Sequence, residues 1–191
     1  KSVFNDKLTV INKDILKIDG GSLTNEKVTV FGNLPYNIST EILSKWIINS
    51  KNSFWFDHLV LMFQKEVADR IISKPNSKNY SRLSVIVQSV CDIKKRQNLP
   101  AKIFYPIPKV SSTVLTFVRK KRIMINNFKS LEELTKLAFN KRRKSIKNSL
   151  KNVTNISQFL KELNIEDKLR PEQISVDEFC KLANLIYNFK K

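Results

Sequence analysis

The chain has 191 residues, 41% of them hydrophobic and 27% charged, with a formal net charge of +18. The length suits one ordinary domain or one plus a small appendage, and with no apolar run of about 18 residues and no secretory signal, a cytoplasmic protein free of membranes is expected. Cys91 and Cys180 are too far apart for a metal motif and too few for a disulfide framework, which predicts two free thiols and no metal centre. The excess of cations points to a polyanionic partner, nucleic acid first. Lys, Asn and Ile are abundant throughout, so part of that charge is compositional, and its arrangement carries more weight than its sum.

In chain order, Lys7–Ile11 alternates polar and apolar residues as a strand does and runs into Asp14-Ile15, where Asp14 fits a turn or a helix cap. Asp19-Gly20-Gly21-Ser22 is a turn cluster. Val28–Phe31 predicts a buried strand that stops at Gly32. Pro35 fixes its own φ and holds Leu34 extended, so Asn33-Leu34-Pro35-Tyr36 form a rigid loop at the carboxyl end of that strand. Open α/β sheets bind their ligands at this edge. Ser39 or Thr40 then caps a helix that runs to about Ile48 and buries Ile42, Leu43, Trp46 and Ile47. Lys51–Phe56 reads as a loop with exposed aromatics, and His58, the sole histidine, has no Ser, Cys or carboxylate constellation that would make it a base.

Leu59–Phe63 predicts a strand buried on both faces, followed by an amphipathic helix over Gln64–Ile72 and a basic loop over Ser73–Lys78. A helix opening at Tyr80-Ser81-Arg82 buries Leu83, Val87 and Val90, and Cys91–Leu99 is a strand with charged outer positions. Pro106 and Pro108 stiffen an extended loop after Phe104. Val114–Val118 is the last strand, and the stretch from Phe104 to Val118 is expected to pair antiparallel with Cys91–Leu99 at the edge of the sheet.

At Arg119-Lys120-Lys121-Arg122 the β-like patterning ends, which divides the chain into residues 1–120 and a helical part, 121–191. There Leu131, Leu134, Ala138, Phe139, Ile146 and Leu150 form one helical stripe. Lys141, Arg143, Lys144, Lys147 and Lys151 put five cations within three turns of the same helix, a field suited to a phosphate backbone. Ile156–Leu160 starts a short helix. The loop Leu169–Ser175, with a cap at Ser175 or Asp177, leads into a last helix that buries Phe179, Leu182, Ala183 and Ile186.

Taken alone, Asn33-Leu34-Pro35-Tyr36 fits a plain strand–turn–helix. It also resembles the Asn/Asp/Ser-Pro-Pro-Tyr motif of adenine-N6 methyltransferases. The longer run Phe31–Thr40 is similar to the form found in ribosomal RNA adenine dimethyltransferases, the small-subunit (kasugamycin-sensitivity) branch above all. Gln64-Lys65-Glu66-Val67, the Tyr80-x-Arg82-Leu83-Ser84 run, Phe104-x-Pro106-x-Pro108-Lys109-Val110-x-Ser112, Phe139-Asn140-x-Arg142-Arg143-Lys144 and Leu169-Arg170-x-Glu172-x-Ile174-Ser175 resemble further segments of that family. The likeness covers essentially the whole chain.

The resemblance implies the later part of a Rossmann-like methyltransferase sheet followed by a small all-helical rRNA-binding domain, with S-adenosylmethionine as methyl donor. Its implied reaction is dimethylation of two adjacent adenines near the 3′ end of small-subunit rRNA, on the immature small ribosomal subunit and by a monomer. An exocyclic adenine amine is a poor nucleophile, and two acceptors on its N–H groups would sharpen it. The resemblance gives that task to the Asn33 oxygen and the Leu34 or Pro35 carbonyl, and makes Tyr36 and Phe104 the walls around an extruded base. It implies that Asp14 and Ile15, with Asn33, hold the cofactor, and that Lys141, Arg142, Arg143, Lys144 and Lys147 grip rRNA. It also implies a glycine-rich cofactor loop, which the three glycines Gly20, Gly21 and Gly32 do not provide. The expectation is therefore a piece of a longer enzyme, inactive by itself. The rivals are a large-subunit rRNA dimethyltransferase conferring macrolide resistance and a non-catalytic assembly factor of the same fold.

Overall fold

A computed structural model describes residues 7–24, 26–48, 55–141 and 143–189. Four strands, β1 (Val28–Asn33), β2 (Phe56–Gln64), β3 (Cys91–Leu99) and β4 (Ser112–Arg119), form one sheet in the order β1-β2-β4-β3. β1 and β2 are parallel and joined through helix α1 (Ser39–Ile48), the crossover that parallel neighbours require. β4 returns between β2 and β3 and pairs antiparallel with both, so the expected antiparallel pairing is present from Ser112 onward with β3 outermost, while residues 104–111 join no strand because Leu99 already meets Ser112 at the end of the ladder. α2 (Lys65–Ile71) and α3 (Arg82–Gln88) follow β2.

Several expectations change in detail. Lys7–Ile11 joins no strand: a ladder needs a partner, none of the described residues supplies one, and Leu8, Val10 and Ile11 stay exposed. β1 alternates instead of being buried throughout. It has β2 on one side alone among the described residues, and Phe31 points outward, 77% exposed. β2 buries Phe56, Leu59, Leu61 and Phe63, while Val60 and Met62 on its other face are half-buried. Of the loop with exposed aromatics, residues 51–54 lie outside the described set; Phe56 is fully buried and Trp55 half-buried. The Trp55 indole covers Gly20 so closely that a Cβ there would sit 2.1 Å from the ring, and it meets Trp46 edge-on at 5.5 Å. Leu83 is half-buried, whereas Ser84, Val85, Ile86 and Val87 are buried, because α3 is packed from several sides, against α1, α2 and the helical part.

The helical part comprises α4 (Phe128–Asn140), α5 (Ile146–Ser149), α6 (Ile156–Glu162) and α7 (Val176–Phe189). Asn127 caps α4 by accepting from the Ser130 amide at 2.9 Å. Ser175 caps α7 in a reciprocal box: its hydroxyl accepts the Glu178 amide and the Glu178 carboxylate accepts the Ser175 amide at 2.7 Å. The single cationic helix is not formed. Lys141 leaves helical geometry at φ −128° and ψ 61°, Ser145 starts α5 by accepting from Asn148, and the Ile146 amide donates to the Leu169 carbonyl at 2.6 Å. Adjacent like charges disfavour a continued helix, and a serine offers a new cap.

Two apolar clusters make the core. One lies on the sheet and includes Ile42, Leu43, Ile47, Leu59, Phe63 and Phe117; the other unites the helical part and includes Leu134, Leu160, Phe179 and Leu182. Tyr80 and Val85 join the helical cluster, and Ile123 and Phe128 touch both. Phe139 stacks on Phe179 with centroids 5.6 Å apart, and Arg82 on α3 pairs with Glu132 on α4 at 2.6 Å.

Candidate active site and nucleic-acid interface

The loop after β1 stands at the carboxyl end of the parallel pair. A Cβ on Gly32 would lie 2.7 Å from the Leu61 side chain and 3.1 Å from that of Leu34, so glycine lets both leucines close over the end of β1. Asn33 and Pro35 are exposed; Leu34 and Tyr36 are half-buried. The Pro35 carbonyl accepts the Ile38 amide at 3.1 Å, and the Ser39 hydroxyl donates to the Tyr36 carbonyl at 3.1 Å, which locks the turn onto the start of α1. Of the two carbonyls expected to meet an amine, Pro35's already serves the turn.

The Tyr36 hydroxyl lies 2.5 Å from the Ser112 hydroxyl. Ser112 is fully buried at the start of β4, where it is in register with Gln64 of β2 and Leu99 of β3. The next peptide on the β2 side is tied in as well, since the Lys65 amide donates to the Ser111 carbonyl at 2.9 Å. One hydrogen bond thus joins the loop after β1 to the end of the segment that begins at Phe104. Phe104 is half-buried and extended at φ −100° and ψ 150° after a tight turn over Ala101–Ile103. In the sequence Ser112 stands out only as the last residue of a motif, and nothing in a serine at a strand start announces a tyrosine partner 76 residues away.

Asp14 is exposed and caps a short turn over Ile15–Lys17, its Oδ1 accepting the Leu16 amide at 2.9 Å. Both readings of Asp14 remain compatible, because a carboxylate that accepts one hydrogen bond keeps further lone pairs. Ile15 is half-buried against the sheet cluster, and its turn touches α1. A carboxylate acceptor beside an apolar side chain fits the adenine end of S-adenosylmethionine.

The cations form two walls of different character. Lys141, Arg143, Lys144, Lys147 and Lys151 are all exposed around the α4–α5 break, while Arg142 lies outside the described residues. Lys147 pairs with Asp167 at 3.0 Å. Arg143 instead lines an open cleft of about 1160 Å³ that runs from the start of α1 across α2 and α3 to the helical part. Lys45, Arg70, Lys78 and Arg170 line it too, with Glu41, Glu66, Glu132 and Glu172 between them. Sequence reading missed Lys45, Arg70 and Arg170, which look like ordinary helix and loop charges until the fold brings them together. His58 is exposed on β2 opposite Thr29 and Val118. Burial pushes the Cys91 and Cys180 thiols up to about 12, so neither is a nucleophile at neutral pH. No described helix is long and apolar enough to cross a membrane.

The family model described as ribosomal RNA adenine dimethylase matches residues 1–188. A protein of Pelagibacter ubique named ribosomal RNA small subunit methyltransferase A is 44% identical over 185 residues, spanning 96% of this chain and 71% of its own length. The protein of the same name in Ehrlichia canis is 42% identical, with 96% of this chain and 70% of its own covered. Among solved structures, a dimethyladenosine transferase from Plasmodium falciparum superposes with a TM-score of 0.79 at 25% identity, covering 97% of this chain and 74% of that one. The 23S rRNA methyltransferase ErmE, at 18% identity and a TM-score of 0.62, with 93% and 71% covered, shows the same Rossmann-like methyltransferase fold and nothing finer.

Proposed function

The chain belongs to the ribosomal RNA adenine dimethylase family, and from that premise we propose that it dimethylates N6 of two adjacent adenines near the 3′ end of small-subunit rRNA. It is an S-adenosylmethionine-dependent rRNA adenine dimethyltransferase. The small-subunit assignment is supported by relatives above 40% identity that carry that name, against a large-subunit enzyme related at 18%.

The observation that carries the site assignment is the Tyr36–Ser112 hydrogen bond, which holds the Asn33–Tyr36 loop against the Phe104 segment at the ligand edge of the sheet. S-adenosylmethionine, when bound, supplies an electrophilic methyl group. The chain's own residues bind and orient the acceptor. The Asn33 side-chain oxygen and the Leu34 carbonyl accept the two amine N–H groups and localise the nitrogen lone pair; the Pro35 carbonyl is the weaker candidate because it already accepts from Ile38. Tyr36 and Phe104 hold the extruded base between them, so positioning supplies most of the rate. Asp14 and Ile15, with Asn33, hold the cofactor. Lys141, Arg142, Arg143, Lys144 and Lys147 meet the rRNA backbone, and the cleft from Lys45 to Arg170, which Arg143 lines, extends that track. Residues 1–120 thus serve methyl transfer and 121–191 serve rRNA binding, in a cytoplasmic monomer acting on the immature small subunit.

The test uses the full-length protein with labelled S-adenosylmethionine and immature small ribosomal subunits, followed by mapping of modified adenines, with Asn33→Ala as the control. Dimethyladenine near the 3′ end of small-subunit rRNA, absent with Asn33→Ala, is the expected result. Subunits that bind without accepting methyl groups would overturn it in favour of an assembly factor.

A further inference from the structure

We propose that the tip of the β3–β4 loop, carrying Tyr105 and Ile107, is a stacking platform for unpaired RNA bases next to the adenine taken into the site. The inference rests on the proposed function and adds to it a contact outside the base pocket. Both ends of the loop are clamped, since Leu99 and Ser112 pair across β3 and β4. Between them Pro100, Pro106 and Pro108 restrict the backbone. On this stiff support Tyr105 is 99% and Ile107 69% exposed, with Ile103 and Val110 also open to solvent. Phe104, next to Tyr105 in the chain, is half-buried, whereas Tyr105 stands clear of the protein. Large apolar groups held rigidly in water lose little freedom on contact and gain from being covered.

Charge decides what covers them. From Ile93 to Ser111 there is no acidic residue, and Lys94, Lys95, Arg96, Lys102 and Lys109 are all exposed. An aromatic face flanked by cations is the arrangement that single-stranded nucleic acid uses, with bases on the ring and phosphates on the cations. The platform is also continuous with the proposed pocket, because Phe104 immediately precedes Tyr105 and the loop ends at Ser112, the partner of Tyr36. In the Phe-x-Pro-x-Pro-Lys-Val-x-Ser pattern, Tyr105 and Ile107 occupy open positions, so this contact belongs to the chain's own residues.

The experiment compares, in the full-length protein, binding of a fluorescent RNA hairpin with an adenine-rich loop and of a blunt RNA duplex of equal length. Tyr105→Ala should weaken hairpin binding about tenfold, equivalent to about 1.4 kcal/mol and within the range of one base–aromatic stack. Duplex binding and the salt slope should stay unchanged, and Tyr105→Trp should restore the hairpin affinity. Lys102→Gln and Lys109→Gln should each reduce the salt slope by about one. Unchanged hairpin binding by Tyr105→Ala, an equal loss for both RNAs, or a loss of self-association without a loss of RNA affinity would each overturn the platform. Methyl transfer separates the two ideas. If Asn33→Ala and Tyr36→Ala abolish it while Tyr105→Ala binds the hairpin normally, the platform falls and the pocket stands. If both pocket variants transfer methyl groups fully, the pocket assignment falls, and a hairpin-specific loss in Tyr105→Ala still upholds the platform.

Discussion

Ser112→Ala removes the partner of the Tyr36 hydroxyl, and the structure gives the size of the effect. Leaving a buried polar group unsatisfied costs about 1–3 kcal/mol. Tyr36 is half-buried and its bond to Ser112 only part-buried, so the lower end, about 1 kcal/mol, applies. Tyr36→Phe breaks the same 2.5 Å contact but strands the hydroxyl of Ser112, which is fully buried, and should cost about 1–2 kcal/mol. In a double-mutant cycle the two changes should overlap by about 1 kcal/mol, read by urea unfolding or as about 2–4 °C in Tm for a chain of this size. Because the bond fixes the Tyr36 ring between two loops, each single variant should also lower kcat/KM for methyl transfer by roughly fivefold, with no further loss in the double variant. Additivity within about 0.5 kcal/mol in stability, or independent losses in rate, would refute the claim that this bond couples the loops.

Other outcomes follow from single features. Gly20→Ala places a Cβ 2.1 Å from the Trp55 indole, so the ring must move; a loss of about 1–3 kcal/mol and a changed near-ultraviolet circular dichroism from Trp46 and Trp55 are expected. Burial raises the folded-state values of Cys91 and Cys180 from 9.0 to about 12 and lifts Tyr80 further. The folded state therefore keeps protons that the unfolded chain releases, so the stability these groups lend is complete below about pH 9 and is lost as pH rises towards 12. Urea titrations at pH 8 and pH 11 check this, and neither thiol should alkylate at pH 7.5 until the chain unfolds. Arg143→Gln should flatten the salt dependence of rRNA binding by about one, whereas Lys147→Gln should change it less, because Asp167 already neutralises Lys147.

Much of the architecture was legible because it is written in local patterns. The β1–α1 unit, the helix opening at Tyr80-Ser81-Arg82, a cap for α7 at Ser175 or Asp177 and the buried Phe179, Leu182, Ala183 and Ile186 all follow from periodicity and capping chemistry that need no distant partner. Gly32 and Pro35 likewise announce the sharp loop that carries Asn33 and Tyr36. Where the reading failed, distant contacts decided. Phe56 looks like a loop aromatic, yet it opens β2 with its side chain fully buried, and Trp55 closes over Gly20. The five cations looked like one helical face until the Ile146 amide turned to Leu169, 23 residues on, and ended the ladder.

By itself, then, the sequence determined most of the elements, the family and the sharp loop after β1, since these depend on residue types at short spacing. Only the tertiary structure decided that Ser112 holds Tyr36, that Arg143 shares a cleft with Lys45 and Arg170 while Lys147 pairs with Asp167, and that Tyr105 stands in solvent. Hydrogen bonds, ion pairs and exposure are properties of groups brought together across tens of residues, and no local pattern encodes which of them meet.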